Sequence, residues 1–451
     1  MAIDDKHSEY EKYSHRWDTS RAVIGGEDVV KGLTGDYKPT DFLPGFYPED
    51  WERYKWYVQR AVFIAYTAFT HTGLLGSVFR KDPDMEFPET IEYIEKNING
   101  KAQGIKQFAK RVVSENLEVG RVGIFVDYPN IEEEGRTGEE QATVNIYTAE
   151  SILDWKTETI NNQLVLTMVV LLEHDPIIGK QYRVLIIENG VYYQRIYDED
   201  EDLISEYQPR NFKGELFTYI PFQFCGSKDN TPSVDKPPLL DIAFVNKGHY
   251  RNSADHEENL HVHGQGTLLL WSDLSAEEWK TANPNGVNVG ARAGHFLGQN
   301  GGGELLQLRE SQAYQVAMDK KVIQMIGIGA RFIQESAGNQ RVDAVKMDKG
   351  QKESGLITLV DNCESAMINA IKFIIDFMSG EELEYKFELN RDFYDTNITA
   401  QEKTAMIMLV DSGVMPKSDA RTLLKKAGWI AADKTEDEIE AEIETDISIN
   451  E

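Results

Sequence analysis

Residues 239–262 constrain the fold most. They have helix-forming composition over about 24 residues, a rod roughly 36 Å long, yet between Asn246 and His261 only Tyr250, Ala254 and Leu260 are apolar. A helix that is polar nearly all round either bridges solvent or packs against other chains. The segment therefore predicts a helix without the stripe that would seat it in an ordinary core.

The flanking sequence divides by period. Residues 1–48 mix charges with Gly25, Gly26, Gly32, Gly35, Pro39, Pro44 and Pro48 and read as an irregular arm, closed by the helix-start chemistry of Pro48-Glu49-Asp50. One long helix is expected over 51–78, from Trp51, Tyr54, Tyr57, Ala61, Ala65, Phe69 and Leu75. A second is expected over 102–119, with Gly120 as its C-cap, followed by a strand over 121–127 and a loop over 130–140. Between 143 and 224 the period changes to β-branched and aromatic segments at 143–147, 164–172, 182–187, 191–196 and 219–224. Asn189-Gly190 is the hairpin signal of this largely antiparallel region.

Beyond the polar helix, 264–306 reads as a compact α/β insertion. It has strands at 267–271 and 294–297, a short acidic helix at 275–280, and the glycine run 301–303 leading into 305–308. A helix is expected from Ser311 to Gly327, then a long helical segment over 340–378. The first half of that segment is polar; the second carries Leu356, Val360, Cys363, Met367, Ala370, Ile374 and Phe377 as a core stripe. A returning strand at 384–389, helices at 400–412 and 417–427, and an acidic tail from 431 complete the chain. The fold class is α+β.

Composition removes several functions. There are 76 acidic against 47 basic side chains, a formal charge of −29, and such a field repels phosphate backbones at long range. Two cysteines, Cys225 and Cys363, make neither a disulfide framework nor a four-cysteine zinc site, so a reducing compartment is expected. No apolar run approaches the ~20 residues of a membrane span, no leader pattern is visible, and a soluble chain is expected. There is neither a phosphate-loop motif nor a G-x-S-x-G elbow. His256 and His261 are five apart and diverge on a regular helix, so with His263 they make a poor zinc set. No enzymatic activity, cofactor or metal is expected.

Several strings together resemble the portal proteins of tailed double-stranded DNA bacteriophages. They are Tyr57-Val-Gln-Arg-Ala-Val-Phe63, Thr70-His-Thr-Gly-Leu-Leu-Gly-Ser-Val-Phe-Arg-Lys81, Gly120-Arg-Val-Gly-Ile-Phe-Val-Asp127 and Leu239-Leu-Asp-Ile-Ala-Phe-Val-Asn-Lys-Gly-His-Tyr-Arg-Asn-Ser-Ala-Asp255. The order of elements resembles that family as well. The resemblance implies an N-terminal arm (1–48), a wing of helices and a β-rich region (49–238), a first stem helix (239–263) and an α/β clip (264–308). A second stem helix (309–327), a tunnel loop with its long helix (328–380), a wing return strand (381–398) and a small helical crown with the acidic tail (399–451) follow.

The resemblance further implies a homo-oligomeric, generally dodecameric ring at one capsid vertex, through which double-stranded DNA passes without being read in sequence. Its expected partners are the large terminase subunit, head completion, adaptor or tail proteins, and the major capsid and scaffolding proteins, with no membrane. It would reside in the virion, and in the host cytoplasm during assembly. Candidate DNA-channel residues on the stem and tunnel segments are Lys247, Arg251, Arg331, Arg341, Lys346 and Lys349; each alternatively forms an intersubunit ion pair or a solvated charge. Candidate clip docking residues are Trp271, Glu277, Glu278 and Trp279, the tryptophans alternatively filling the clip's own small core. Two other readings stay open, a different virion adaptor and a soluble hydrolase with an unrecognised site.

Overall fold

Helices and strands fall in blocks, as the change of period requires. The computed structural model describes residues 3–44, 51–129, 140–263, 267–287, 294–306, 312–333, 355–380 and 383–393, and beyond these 410, 416–418, 421, 434–435 and 438–439. The chain forms two compact units, Met1–Arg391 and Asp392–Glu451. The first opens with helices α1 (Ser8–Gly25), α2 (Glu27–Val30), α3 (Trp51–Arg60) and α4 (Tyr66–Val78), strand β1 (Asp84–Glu86), and helices α5 (Ile94–Asn97) and α6 (Ile105–Val119). Strands β2 (Arg121–Asp127), β3 (Thr143–Thr148), β4 (Ile152–Ile160), β5 (Gln163–Asp175), β6 (Gly179–Glu188), β7 (Val191–Tyr197), β8 (Leu203–Tyr207) and β9 (Phe222–Gly226) follow. Then come α7 (Leu240–His263), β10 (Thr267–Trp271), α8 (Ala276–Ala282), β11 (Gly302–Leu306), α9 (Ala313–Ile333), α10 (Gly355–Met378) and β12 (Lys386–Glu388).

The sheets are antiparallel. One is the five-stranded meander β4-β5-β6-β7-β8 and another the three-stranded β3-β2-β9; β10 pairs with β11, and β1 with β12. The β6–β7 turn is Asn189-Gly190, with φ of 52° and 79°. The β4–β5 turn is Asn161-Asn162, with φ of 51° and 67°; asparagine is among the few non-glycine residues that tolerate this left-handed region. Strands β4 and β8 were not expected from the sequence, the first because its turn carries no glycine.

The helix α10 stripe forms the core. Leu356, Val360, Cys363, Met367, Ala370, Ile374 and Phe377 are all buried, packed on α6, β2 and β9. Tyr128 is stacked between Phe377 (4.9 Å) and Phe217 (4.7 Å). Gly123 makes the β2–β9 pairing possible, since a Cβ there would stand 2.4 Å from Phe222 Cζ. Gly120 closes α6 in the left-handed region at φ 73°.

Four expectations need correction. Residues 1–48 are no irregular arm: α1 buries Tyr10, Trp17, Ser20, Ala22 and Val23, and its Arg21 meets Glu115 at 2.7 Å, Glu118 at 2.7 Å and Glu150 at 2.9 Å. The glycines that suggested irregularity lie at and beyond its C-terminus. The expected single helix over 51–78 is two, α3 and α4, separated by residues 61–65.

Helix α9 passes through Gly327 and Gly329 to Ile333, because each helical glycine costs only about 1 kcal/mol. The missing side chain of Gly329 lets α9 approach Thr70. The strand expected at 294–297 is absent; β10 pairs instead with the glycine run, Trp271 opposite Gly302.

In the second unit the described residues include a capped turn. Thr435 N donates to Glu438 Oε2 (2.8 Å), Glu438 N donates to Thr435 Oγ1 (3.3 Å), and Ile439 is buried. Most of the expected helices at 400–412 and 417–427 and of the acidic tail lie outside the described residues.

Candidate functional site

Helices α7 and α9 are antiparallel partners. Ile242 approaches Gly329, Gly248 approaches the Lys321 side chain, and His256 faces Tyr314 at 6.5 Å, so numbers rise on one helix as they fall on the other. With its amide turned to bond, Asn252 accepts from Lys321 Nζ at 3.0 Å and donates to Gly248 O at 3.3 Å. Between these helices in sequence lies the β10–α8–β11 insertion.

The polar character of α7 is resolved within the chain. Asn246, His249 and Ser253 are buried, and two of them serve the break between α3 and α4. Asn246 Oδ1 accepts from Thr67 N and Oγ1, each at 3.0 Å, while its Nδ2 donates to Ile64 O at 2.9 Å; Ser253 Oγ accepts from Val62 N at 3.3 Å. Backbone groups freed where a helix stops must find partners when buried. Nearby, Tyr57 OH donates to Asp255 Oδ1 at 2.6 Å, and Arg53 and Arg60 both pair with Glu258. Sequence reasoning missed Asn246 and Ser253, which look like solvent-facing residues until α4 is placed beside them.

The expected channel residues fall in three settings. Lys247 Nζ lies 4.9 Å over the Phe42 ring, and Arg251 Nε donates to Phe42 O at 2.9 Å, so both engage the chain's own N-terminal segment. Burial, helped by the Arg251 charge, lowers Lys247 from the usual lysine range. Arg331 is on the last turn of α9, its side chain outside the described residues. Arg341, Lys346 and Lys349 lie wholly outside them.

In the insertion, Trp271 lies against Gly302, where a Cβ would stand 2.7 Å from Trp271 Cζ2, and remains 52% exposed. Glu278 forms a capping box with Ser275, whose N donates to Glu278 Oε2 at 3.0 Å; these bonds, first that from the Ser275 hydroxyl, hold the carboxyl below its usual range. Glu277 is exposed and Trp279 half-buried. Asn283 ties the end of α8 across the insertion, donating to Phe296 O at 2.9 Å and accepting from Phe296 N at 3.0 Å. Leu269, Phe296 and Leu305, not singled out from the sequence, are exposed with Trp271 and make the insertion surface apolar as well as acidic.

Among the described residues no group of three His, Cys, Asp or Glu side chains is placed to hold a metal ion, and no helix is long and apolar enough to cross a membrane.

Residues 238–378, which span both helices, the insertion and α10, match the model of a domain of unknown function, DUF4055. No curated protein matches the chain. Among solved structures the chain is similar to a component of the neck of an empty gene transfer agent (GTA) particle computed with C6 symmetry. The two are 13% identical over 79% of this chain and 89% of that one, with a TM-score of 0.41. It is also similar to chains in the virion of a native gene transfer agent particle (14% identical, 80% and 89% covered, TM-score 0.40) and in the neck of the native particle computed with C12 symmetry (12%, 80% and 89%, 0.37).

Proposed function

We propose that this chain is the subunit of a phage-type portal, a closed homo-oligomeric ring that conducts double-stranded DNA through one capsid vertex. The observation that carries the reading is the antiparallel α7/α9 pair bracketing an apolar and acidic α/β insertion. A paired stem with a projecting clip is the arrangement that the resemblance of residues 239–255 to a portal stem helix leads one to expect.

Surface chemistry supports ring formation. Helix α9 exposes Val316, Ile323 and Ile326, and the nearby helices expose Phe69 and Phe244. A closed ring buries one such face per subunit against its neighbour and leaves no open edge. The charge of −29 suits a conduit, because an acidic wall does not grip a polyanion.

In this reading the chain is a structural component. The terminase supplies ATP hydrolysis and docks at the insertion, and head completion or tail proteins take its place after packaging. The deciding experiment is native mass spectrometry of the purified 51.3 kDa chain with negative-stain imaging. A particle of about twelve subunits with a central hole is expected; a monomer or dimer over a wide range of concentration and salt overturns the proposal.

A further inference from the structure

The two cysteines are 138 residues apart in sequence and in contact in the fold. Cys225 on β9 and Cys363 on α10 are both fully buried, with their sulfurs 3.6 Å apart. One side chain serves both: Asn116 Nδ2 is 3.2 Å from Cys225 Sγ and 3.4 Å from Cys363 Sγ while donating to Gly226 O at 3.0 Å.

The residues beside each cysteine are cross-braced. Asn362, which precedes Cys363, donates from Nδ2 to Gly226 O at 3.1 Å, next to Cys225. Asn230 Nδ2 donates in turn to Asn362 O at 2.9 Å. Backbone segments held together this way keep the two thiols facing each other.

We infer that Cys225 and Cys363 are a latent disulfide, a covalent modification site that locks β9 to α10 when the chain meets a disulfide or peroxide oxidant. Forming the bond brings the sulfurs from 3.6 Å to about 2.05 Å, the length of a disulfide. Asn116 keeps Gly226 O as its acceptor after the change.

With oxidised glutathione the step balances. One protein thiolate attacks the glutathione disulfide, forming a mixed disulfide and releasing one glutathione thiolate. The second protein thiolate then displaces the other glutathione. Two protein thiols are oxidised, one glutathione disulfide is reduced to two thiols, and the protein's two protons pass to them. Burial pushes the Cys225 thiol up from its ordinary range, so the reaction starts from an opened state, not from the closed core. The inference is independent of any ring the chain builds.

The test uses the full chain with oxidised glutathione at mildly alkaline pH, in urea just below the unfolding transition so that the core opens repeatedly. After alkylation, free thiols are titrated in denaturant and peptides are analysed by mass. Thiols should fall from two per chain to none, with one Cys225–Cys363 peptide pair lighter by two hydrogens. The unfolding temperature in buffer should rise by several degrees and return after dithiothreitol. In C363A the reaction should stop at a glutathione adduct on Cys225 with no such rise. Two surviving thiols, a stable glutathione adduct on the wild-type chain, cross-links between chains, or a fall in unfolding temperature after oxidation would each overturn the inference; the wild-type comparison stands even if the variant fails to fold.

Discussion

Asn246 on α7 accepts hydrogen bonds from the Thr67 backbone N–H and hydroxyl, each at 3.0 Å, so a side chain 179 residues away supplies the N-terminal cap of α4. The same amide donates to Ile64 O at 2.9 Å, within the break between α3 and α4, while Ser253 Oγ accepts from Val62 N nearer α3. The break and the polar helix explain each other.

Replacing Asn246 with Leu should therefore be expensive, although the site is buried and leucine is a good helix former. Three bonds vanish, and the buried Thr67 N–H and hydroxyl lose their partner while Ile64 O keeps the Tyr66 N–H, at about 1–3 kcal/mol per unsatisfied group. Urea unfolding of N246L should show a loss of about 3 kcal/mol in total. Asn246→Asp, which keeps the acceptor and loses the donor, should fall between wild type and N246L. Equal stability of all three would show that the break needs no cap.

The exposed face of α9 gives a test of assembly that stability does not confound. Ile323 and Ile326 are 70% and 65% exposed, so glutamate at either should change the stability of the isolated chain by no more than about 0.5 kcal/mol. I323E/I326E should remain folded by circular dichroism and fail to form the large particle in native mass spectra. Intact rings from this variant would place the subunit seam elsewhere.

His249 should make stability depend on pH in one direction. Burial first, then the Lys321 charge, depress its pKa below the ordinary value, with Asp319 opposing. The folded state thus binds fewer protons than the unfolded chain below about pH 6.5. This contribution is fully present above that value and is lost as pH falls from there to the depressed folded pKa. The raised pKa values of Glu115 and Asp127, caused by burial, act oppositely, so the difference between variants isolates the histidine. Between pH 7.5 and 5, wild type should lose more unfolding temperature than His249→Gln; parallel curves would remove His249 from the balance.

Lys247 and Arg251 can be assigned by separating two readouts. Their contacts with Phe42 predict that K247A/R251A loosens the N-terminal segment, raising the rate of limited proteolysis near Phe42 and Leu43 and costing about 1–2 kcal/mol. Unchanged proteolysis together with altered DNA retention in assembled particles would return both residues to the channel.

Much of the architecture was legible because it depends on local period. The α10 stripe, the Gly120 cap, the Asn189-Gly190 hairpin and the Ser275 start of α8 each require only the nearest few residues. The β4 strand was hidden because Asn161-Asn162 turns the chain without glycine. Helix α1 was hidden because its stability comes from Trp17 burial and the Arg21 carboxylate cluster, which are supplied by α6 and Glu150.

The candidate site was legible by position and not by contact. Trp271, Glu277, Glu278 and Trp279 do lie in one small insertion between two helices, as their spacing indicates. Their environments depend on Gly302, Ser275 and Asn283, whose roles appear only when β11 and the segment around Phe296 fold back. Lys247 and Arg251 looked like free cations on a polar rod because nothing in residues 240–263 announces that Phe42 will lie over them.

By itself the sequence determined many of the helical and extended segments, with α1, β4 and β8 missed, together with their order and the acidic balance, since these follow from periodicity and charge along the chain. Only the tertiary structure decided that the 51–78 helix breaks, that α7 spends its polar side chains on that break, and that Cys225 meets Cys363. Those outcomes turn on which buried polar groups find partners far away in sequence, and a buried group's energy is set by its neighbours in space.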